Sequence, residues 1–122
     1  MIGYVTLGTA DLPRAAKFYD AIAAELDTPR MMDFETFIAW GKADGPAGIA
    51  VTKPYDGNAP SVGNGVMAAL QAKDKDQVDR IYEIALANGA TDEGAPGPRG
   101  EGFYAGYFRD PDGNKLNAFV MG

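Results

Sequence analysis

The sequence contains neither cysteine nor histidine. Without cysteine there is no disulfide, no thiolate metal site and no cysteine nucleophile. Without histidine, the commonest metal ligand and the commonest neutral-pH general base are both missing. Basic side chains are also scarce: 11 Lys and Arg face 17 Asp and Glu, a net charge of -6. That balance argues against nucleic acid or an anionic membrane as a partner and mildly favours a cationic ligand. No apolar run approaches the roughly 18 residues of a membrane span. The opening Met1-Ile2-Gly3-Tyr4-Val5 carries no basic signal-peptide region, so the expected location is the cytoplasm. What remains is a chain of 122 residues, 46% hydrophobic and 23% charged, long enough for one domain around one core.

Residues 2–8 alternate as a strand, with Val5 and Leu7 on one side and Tyr4 and Thr6 on the other. Asp11 caps a helix that Pro13 tolerates in its first turn, and Leu12, Ala15, Phe18, Tyr19 and Ile22 form its apolar stripe. The helix fades near Leu26. Three short strands are expected at residues 30–34, 36–41 and 47–53, the last two joined by a turn at Asp44-Gly45-Pro46. Residues 54–65, rich in Gly, Pro, Asn and Ser, read as a linker.

The pattern then repeats. Residues 66–72 form a strand, and Asp74 with Gln77 fits a capping box. Val78, Ile81, Tyr82, Ala85 and Leu86 make a second helical stripe ended by Asn88-Gly89. Residues 91–93 are a weak strand and residues 94–102 a glycine and proline loop. Residues 103–109 and 115–121 form a hairpin around Asp110-Pro111-Asp112-Gly113-Asn114, where Pro111 presets φ and Gly113 supplies a positive φ. Shifted by 63 positions, Tyr4 falls on Met67, Leu7 on Leu70, Asp11 on Asp74, Phe18 on Ile81 and Tyr19 on Tyr82. Asp44-Gly45 matches Asp112-Gly113 with a small indel. Each half exposes a half-covered sheet, so two must pack together, within one chain or between two.

The duplicated unit, the opening Leu7-Gly8-Thr9-Ala10-Asp11-Leu12-Pro13-Arg14-Ala15-Ala16-Lys17-Phe18-Tyr19 and the closing Phe108-Arg109-Asp110-Pro111-Asp112-Gly113-Asn114 resemble the vicinal oxygen chelate superfamily of glyoxalases, bleomycin resistance proteins and extradiol dioxygenases. The resemblance implies an α+β fold: two tandem βαβββ modules, about 1–60 and 61–122 of a single 1–122 domain, forming a curved mixed sheet around a cleft with helices outside. It also implies a homodimer. In metal-dependent members it implies a divalent metal held on the first and fourth strands of each module, positions that fall here on Tyr4, about Ile49, Met67 and Asn117. Ile49 cannot coordinate, Met67 offers a soft thioether, Tyr4 must lose a proton, and Asn117 replaces a carboxylate by a neutral amide. No metal and no other cofactor is therefore expected.

Strand parity sends Leu116, Ala118 and Val120 toward the helices and Lys115, Asn117 and Phe119 into the cleft. Tyr4, Met67, Phe103, Tyr107 and Asn117 are the candidate ligand contacts, with Arg99 as an anion clamp on a loop over the cleft. Each has a plainer alternative: Tyr4 and Asn117 filling the space of a lost metal, Met67 filling a gap, Arg99 a solvated charge. Trp40 alternates with Ile38, which favours core packing over stacking. Asp110 and Asp112 are explained by their turn. The leading functional reading is a metal-free binder of a small organic molecule in an aromatic cleft. The alternatives are a glyoxalase-like lyase, isomerase or dioxygenase with an altered or metal-free site, and a protein-association module.

Overall fold

Side-chain alternation and helical stripes resolve into ten elements in the computed structural model, which describes residues 1–122. The first module runs β1 (Tyr4–Gly8), α1 (Leu12–Glu25), β2 (Arg30–Asp33), β3 (Phe37–Trp40) and β4 (Gly48–Thr52). The second runs β5 (Ala68–Gln71), α2 (Lys75–Ala87), β6 (Thr91–Pro98), β7 (Phe103–Arg109) and β8 (Lys115–Met121). No helix is long and apolar enough to cross a membrane.

Both helices start where the caps foretell. Asp11 accepts from the Arg14 N–H at 3.1 Å and Asp74 from the Gln77 N–H at 2.8 Å, each occupying an amide that the helix leaves unpaired. Gln77 reaches back one residue beyond the cap, accepting from the Lys73 N–H at 2.9 Å. Its amide nitrogen donates to the Glu25 carbonyl at 3.0 Å, so the second helix's start is tied to the first helix's end.

The strands form two four-stranded mixed sheets, in the orders β1-β4-β3-β2 and β5-β8-β7-β6. The curved mixed sheet that the two modules were expected to form consists of these two paired sheets: β1 and β5 are both edges, and no ladder joins them. Strand ends are shorter than the alternation suggested where a partner is missing. Val66 and Met67 precede β5 because pairing with β8 begins only at Ala68, opposite Leu116.

The expected loop at residues 94–102 is largely strand. β6 continues to Pro98 because it is an outer strand, where a proline needs no ladder donor, and because two register shifts absorb its irregular residues. Pro96 packs on Gly106, where a Cβ would come within 2.9 Å of its ring. Arg99 therefore sits at the end of a strand, in a turn closed by its own N–H donating to the Phe103 carbonyl at 2.7 Å.

The helix-facing sides of both sheets and both helices share one core. Phe18, Tyr19, Ile22, Ile38, Trp40, Val51, Val78, Ile81, Phe108 and Leu116 are all buried in it. Trp40 packs as its alternation suggested and donates from Nε1 to Asp20 at 2.8 Å.

A polar clasp closes the core at the β7–β8 turn. Asp112 accepts from the Thr9 hydroxyl at 2.6 Å, the Ala10 N–H at 2.9 Å and Arg14 Nη2 at 2.8 Å. Asp110 accepts from the Tyr19 hydroxyl at 2.7 Å and from the N–H groups of Asp112 and Asn114 at 2.9 Å. Asn114 bridges Asp110 and the Gly8 carbonyl, both at 3.0 Å. Gly113, at φ 92°, makes the turn that aims both carboxylates at the first module. The two stretches that carried the resemblance bind each other.

Burial, and then the Asp110 carboxylate at its oxygen, pushes the Tyr19 hydroxyl well above its ordinary value. The raised value means that the phenol's contribution is complete below the unfolded pKa of about 10 and is lost as pH rises through the folded value. Tyr19→Phe is expected to lose about 1–2 kcal/mol and Asp112→Ala about 2–4 kcal/mol in urea unfolding with unchanged slope, since hydrogen bonds to a charged group are removed. In Tyr19→Phe the alkaline loss of stability should also be smaller. Wild-type midpoints in both variants would show that the clasp does not hold the modules.

Candidate functional site

Strand parity and register decide what each open face presents. In the first module, Val5 pairs with Ile49 and Leu7 with Val51; Leu7 and Val51 lie in the core, Ile49 packs against it, and Val5 shares their side by alternation. Tyr4 and Thr6 point the other way, beside Gly48 and Ala50. Ile49 is therefore not an open-face position, which corrects its assignment from sequence. Of the β4 residues on that face, Gly48 and Ala50 carry no side-chain donor, and the Thr52 hydroxyl donates to the Thr36 carbonyl at 3.0 Å.

The divalent metal that the resemblance implies does not fit these residues. The positions that the resemblance implies offer the Tyr4 phenol, the Met67 thioether and the Asn117 amide, and from β4 only the neutral Thr52 hydroxyl shares their face, already bonded to the Thr36 carbonyl. Nor does any group of three His, Cys, Asp or Glu come together elsewhere in the chain.

The candidate ligand residues fall in three places. Tyr4 is on the first sheet, 46% exposed, with its ring edge-on to Phe37 at 6.0 Å. Met67, 41% exposed, enters β5. Phe103, Tyr107 and Asn117 share the open face of the second sheet, since Tyr104 and Phe108 take the helix side: Tyr104 donates to Asp79 on α2 at 2.7 Å, and Phe108 lies in the core. Phe103 stacks on Phe119 at 5.6 Å, toward one end of that face.

Arg99, Tyr107 and Asn117 are brought together. Asn117 pairs with Tyr107 on β7 and with Ala69 on β5, so the three lie in a row across adjacent strands. The Arg99 guanidinium lies over the Tyr107 ring at 5.5 Å, and the Lys115 ammonium is 5.6 Å from the same ring. Asn117 is 1% exposed, and its Oδ1 is a buried acceptor with no hydrogen-bond partner. Such an orphan is costly, and native proteins keep few of them.

The apolar groove is elsewhere than expected. A groove of about 420 Å³ runs between the unpaired edges of β1 and β5. Its walls include Val5, Leu7, Ile49, Met67 and Leu70, and Tyr19, Ile22 and Trp40 also line it. Of the residues singled out for ligand contact, only Met67 lines it. Thr6 and Ala69 bring it to the open face, and Ala69 is the register partner of Asn117. Sequence parity found the face but missed the groove. The signal for it was the pair of strands that open each module, both left without an outer neighbour.

With this geometry the chain can be compared with known proteins. A family model described as Glyoxalase/Bleomycin resistance protein/Dioxygenase superfamily matches residues 1–118. A glyoxalase/bleomycin resistance protein from Albidiferax ferrireducens T118 superposes with a TM-score of 0.89 at 32% identity, covering 98% of this chain and 97% of that one. A family enzyme from Burkholderia phytofirmans PsJN gives 0.78 at 18% identity over 98% and 97%. A glyoxalase-related enzyme from Fulvimarina pelagi gives 0.76 at 20% over 98% and 86%. The last two, at those identities, are alike in fold. No curated protein matches the sequence significantly.

The orphan amide generates a stability test. Asn117→Leu replaces a buried, unpartnered amide by an apolar group of similar size and is expected to raise unfolding free energy by about 1–2 kcal/mol, the usual scale for such a group. Destabilisation of that size, read in urea, would mean that Asn117 is satisfied after all.

Proposed function

The chain belongs to the glyoxalase/bleomycin resistance protein/dioxygenase superfamily, and from that premise we propose that it binds a small organic molecule without the metal of the superfamily's metal-dependent members. The observation that carries this reading is the apolar groove of about 420 Å³ between β1 and β5. That volume lies within the usual range for small-molecule pockets, which are mostly apolar with a few placed polar groups. Here the polar groups are Thr6 at the groove and Asn117 beside Ala69.

The donor chemistry supports the metal-free part. A phenol, a thioether and a neutral amide supply no charge to offset a divalent cation, and hard cations need oxygen anions while softer ones prefer imidazole or thiolate. Binding rather than catalysis is favoured because the open faces carry no histidine or cysteine. The tyrosine with a strongly raised hydroxyl, Tyr19, is engaged by Asp110 in the clasp.

A second copy of the chain is the proposed partner. Ile2, Val5, Val66 and Met67 line the groove and are exposed, an apolar strip that a homodimer would cover while closing the groove. Light scattering is expected to read two chains.

A ligand-observed NMR screen with aromatic and aliphatic fragments tests the binding reading. It should find saturable binders that Met67→Glu weakens at least tenfold. Zinc, nickel and manganese should leave the melting temperature unchanged. Stoichiometric tight binding of any of these metals, or the absence of any fragment hit, would overturn the proposal.

A further inference from the structure

The open face of the second sheet differs in charge from the chain as a whole. Arg14, Arg30, Arg80 and Arg109 each pair with a carboxylate; Arg99 does not, and neither does Lys115. Both of these cations lie against the ring of Tyr107, the register partner of Asn117, whose Oδ1 is the orphan acceptor. The nearby Glu93 is neutralised by Arg109 at 2.8 Å.

Arg99 is held in place rather than left to wander. Its Nη2 donates to the Ala95 carbonyl at 2.6 Å and its Nη1 to the Pro98 carbonyl at 3.3 Å. The guanidinium occupies room that two glycines leave free: a Cβ at Gly94 would lie 3.2 Å from Nη2, and one at Gly97 would lie 3.1 Å from Nη1. A guanidinium fixed in this way loses little entropy when it binds an oxyanion, and its planar fork suits a carboxylate. Physiological salt screens charges farther apart than about 8 Å, so at this face the two neighbouring cations outweigh the distant net charge.

We infer that Arg99 and Lys115 hold the acid group of a small organic acid whose apolar body occupies the groove and whose hydroxyl or N–H donates to Asn117 Oδ1. This inference rests on the ligand-binding reading above and names its ligand class. The row Ala69, Asn117, Tyr107 sets the spacing. Three neighbouring strands about 4.8 Å apart place the groove edge about 10 Å from Tyr107, whose ring the cations flank, the length of an aryl or short-chain acid. The orphan acceptor selects for a hydrogen-bond donor between the two ends, because an acid without one leaves it unpaired. This reverses the cationic ligand that the overall charge suggested.

The test uses 4-hydroxy-2-naphthoate, which carries the required donor, and its neutral amide, 4-hydroxy-2-naphthamide, titrated calorimetrically into the full chain. The acid is expected to bind at least tenfold more tightly than the amide, with an advantage that shrinks as salt is added. Arg99→Gln and Lys115→Gln should each weaken the acid about tenfold and leave the amide within twofold. Gly97→Ala, which keeps every charge but displaces the guanidinium, should weaken the acid severalfold. Equal affinities for acid and amide, unchanged in the variants, would overturn the acid-group assignment while leaving the groove as a binding site. Binding of neither probe, when neutral fragments from the screen still bind, would overturn the assignment in the same way. If no compound of any kind binds, both readings fail.

Discussion

Two buried carboxylates on one turn hold this molecule's halves in register. Asp110 and Asp112 project from the β7–β8 turn and collect donors from Tyr19, Thr9, Ala10 and Arg14 of the first module. Because no ladder joins β1 to β5, the modules rely on their common core, on this clasp and on the contacts of Gln77 and Arg80 with Glu25. A core is nearly indifferent to small slips, since apolar contact is not directional. The hydrogen bonds are directional, and they fix how far β1 stands from β5. The groove exists because those edges are held near each other without pairing.

The site follows from what the two open faces lack. Gly48 and Ala50 bring no donor to β4, and Asn117 stands where the resemblance implies a carboxylate. Polar chemistry gathers on the second sheet instead, where Gly94 and Gly97 make room for the Arg99 side chain. An unpaired Oδ1 in a buried amide is a liability for stability, and such liabilities persist most often where function needs them. The same residue thus weakens the fold and gives the site a polar feature that apolar walls cannot supply.

Much of the fold was legible in the sequence. Both helix caps, the duplicated strand and helix order, the Gly113 turn and the core role of Trp40 all follow from local rules: capping, periodicity and turn chemistry. Less legible were features that depend on long-range pairing. The glycine and proline run at residues 94–102 reads as loop, yet it becomes strand because an outer position and two bulges tolerate it. The position that the resemblance puts at about Ile49 falls on the helix-facing side of β4, since parity within a strand is certain but its phase against a neighbour is set only by register. Asp110 and Asp112 were explained by their own turn, and nothing local announced that they also bind the first module. The one hint was Tyr19, whose place on a buried stripe obliges its hydroxyl to find a partner.

A crystal structure of the protein prepared without chelators and soaked with an aryl carboxylate, with data collected above and below the zinc edge, tests the central reading most directly. Expected is density for the apolar body between β1 and β5, the carboxylate against Arg99 and Lys115, and no anomalous peak among Tyr4, Met67 and Asn117. A divalent cation at those three side chains, with the groove filled by the protein's own residues, would contradict it.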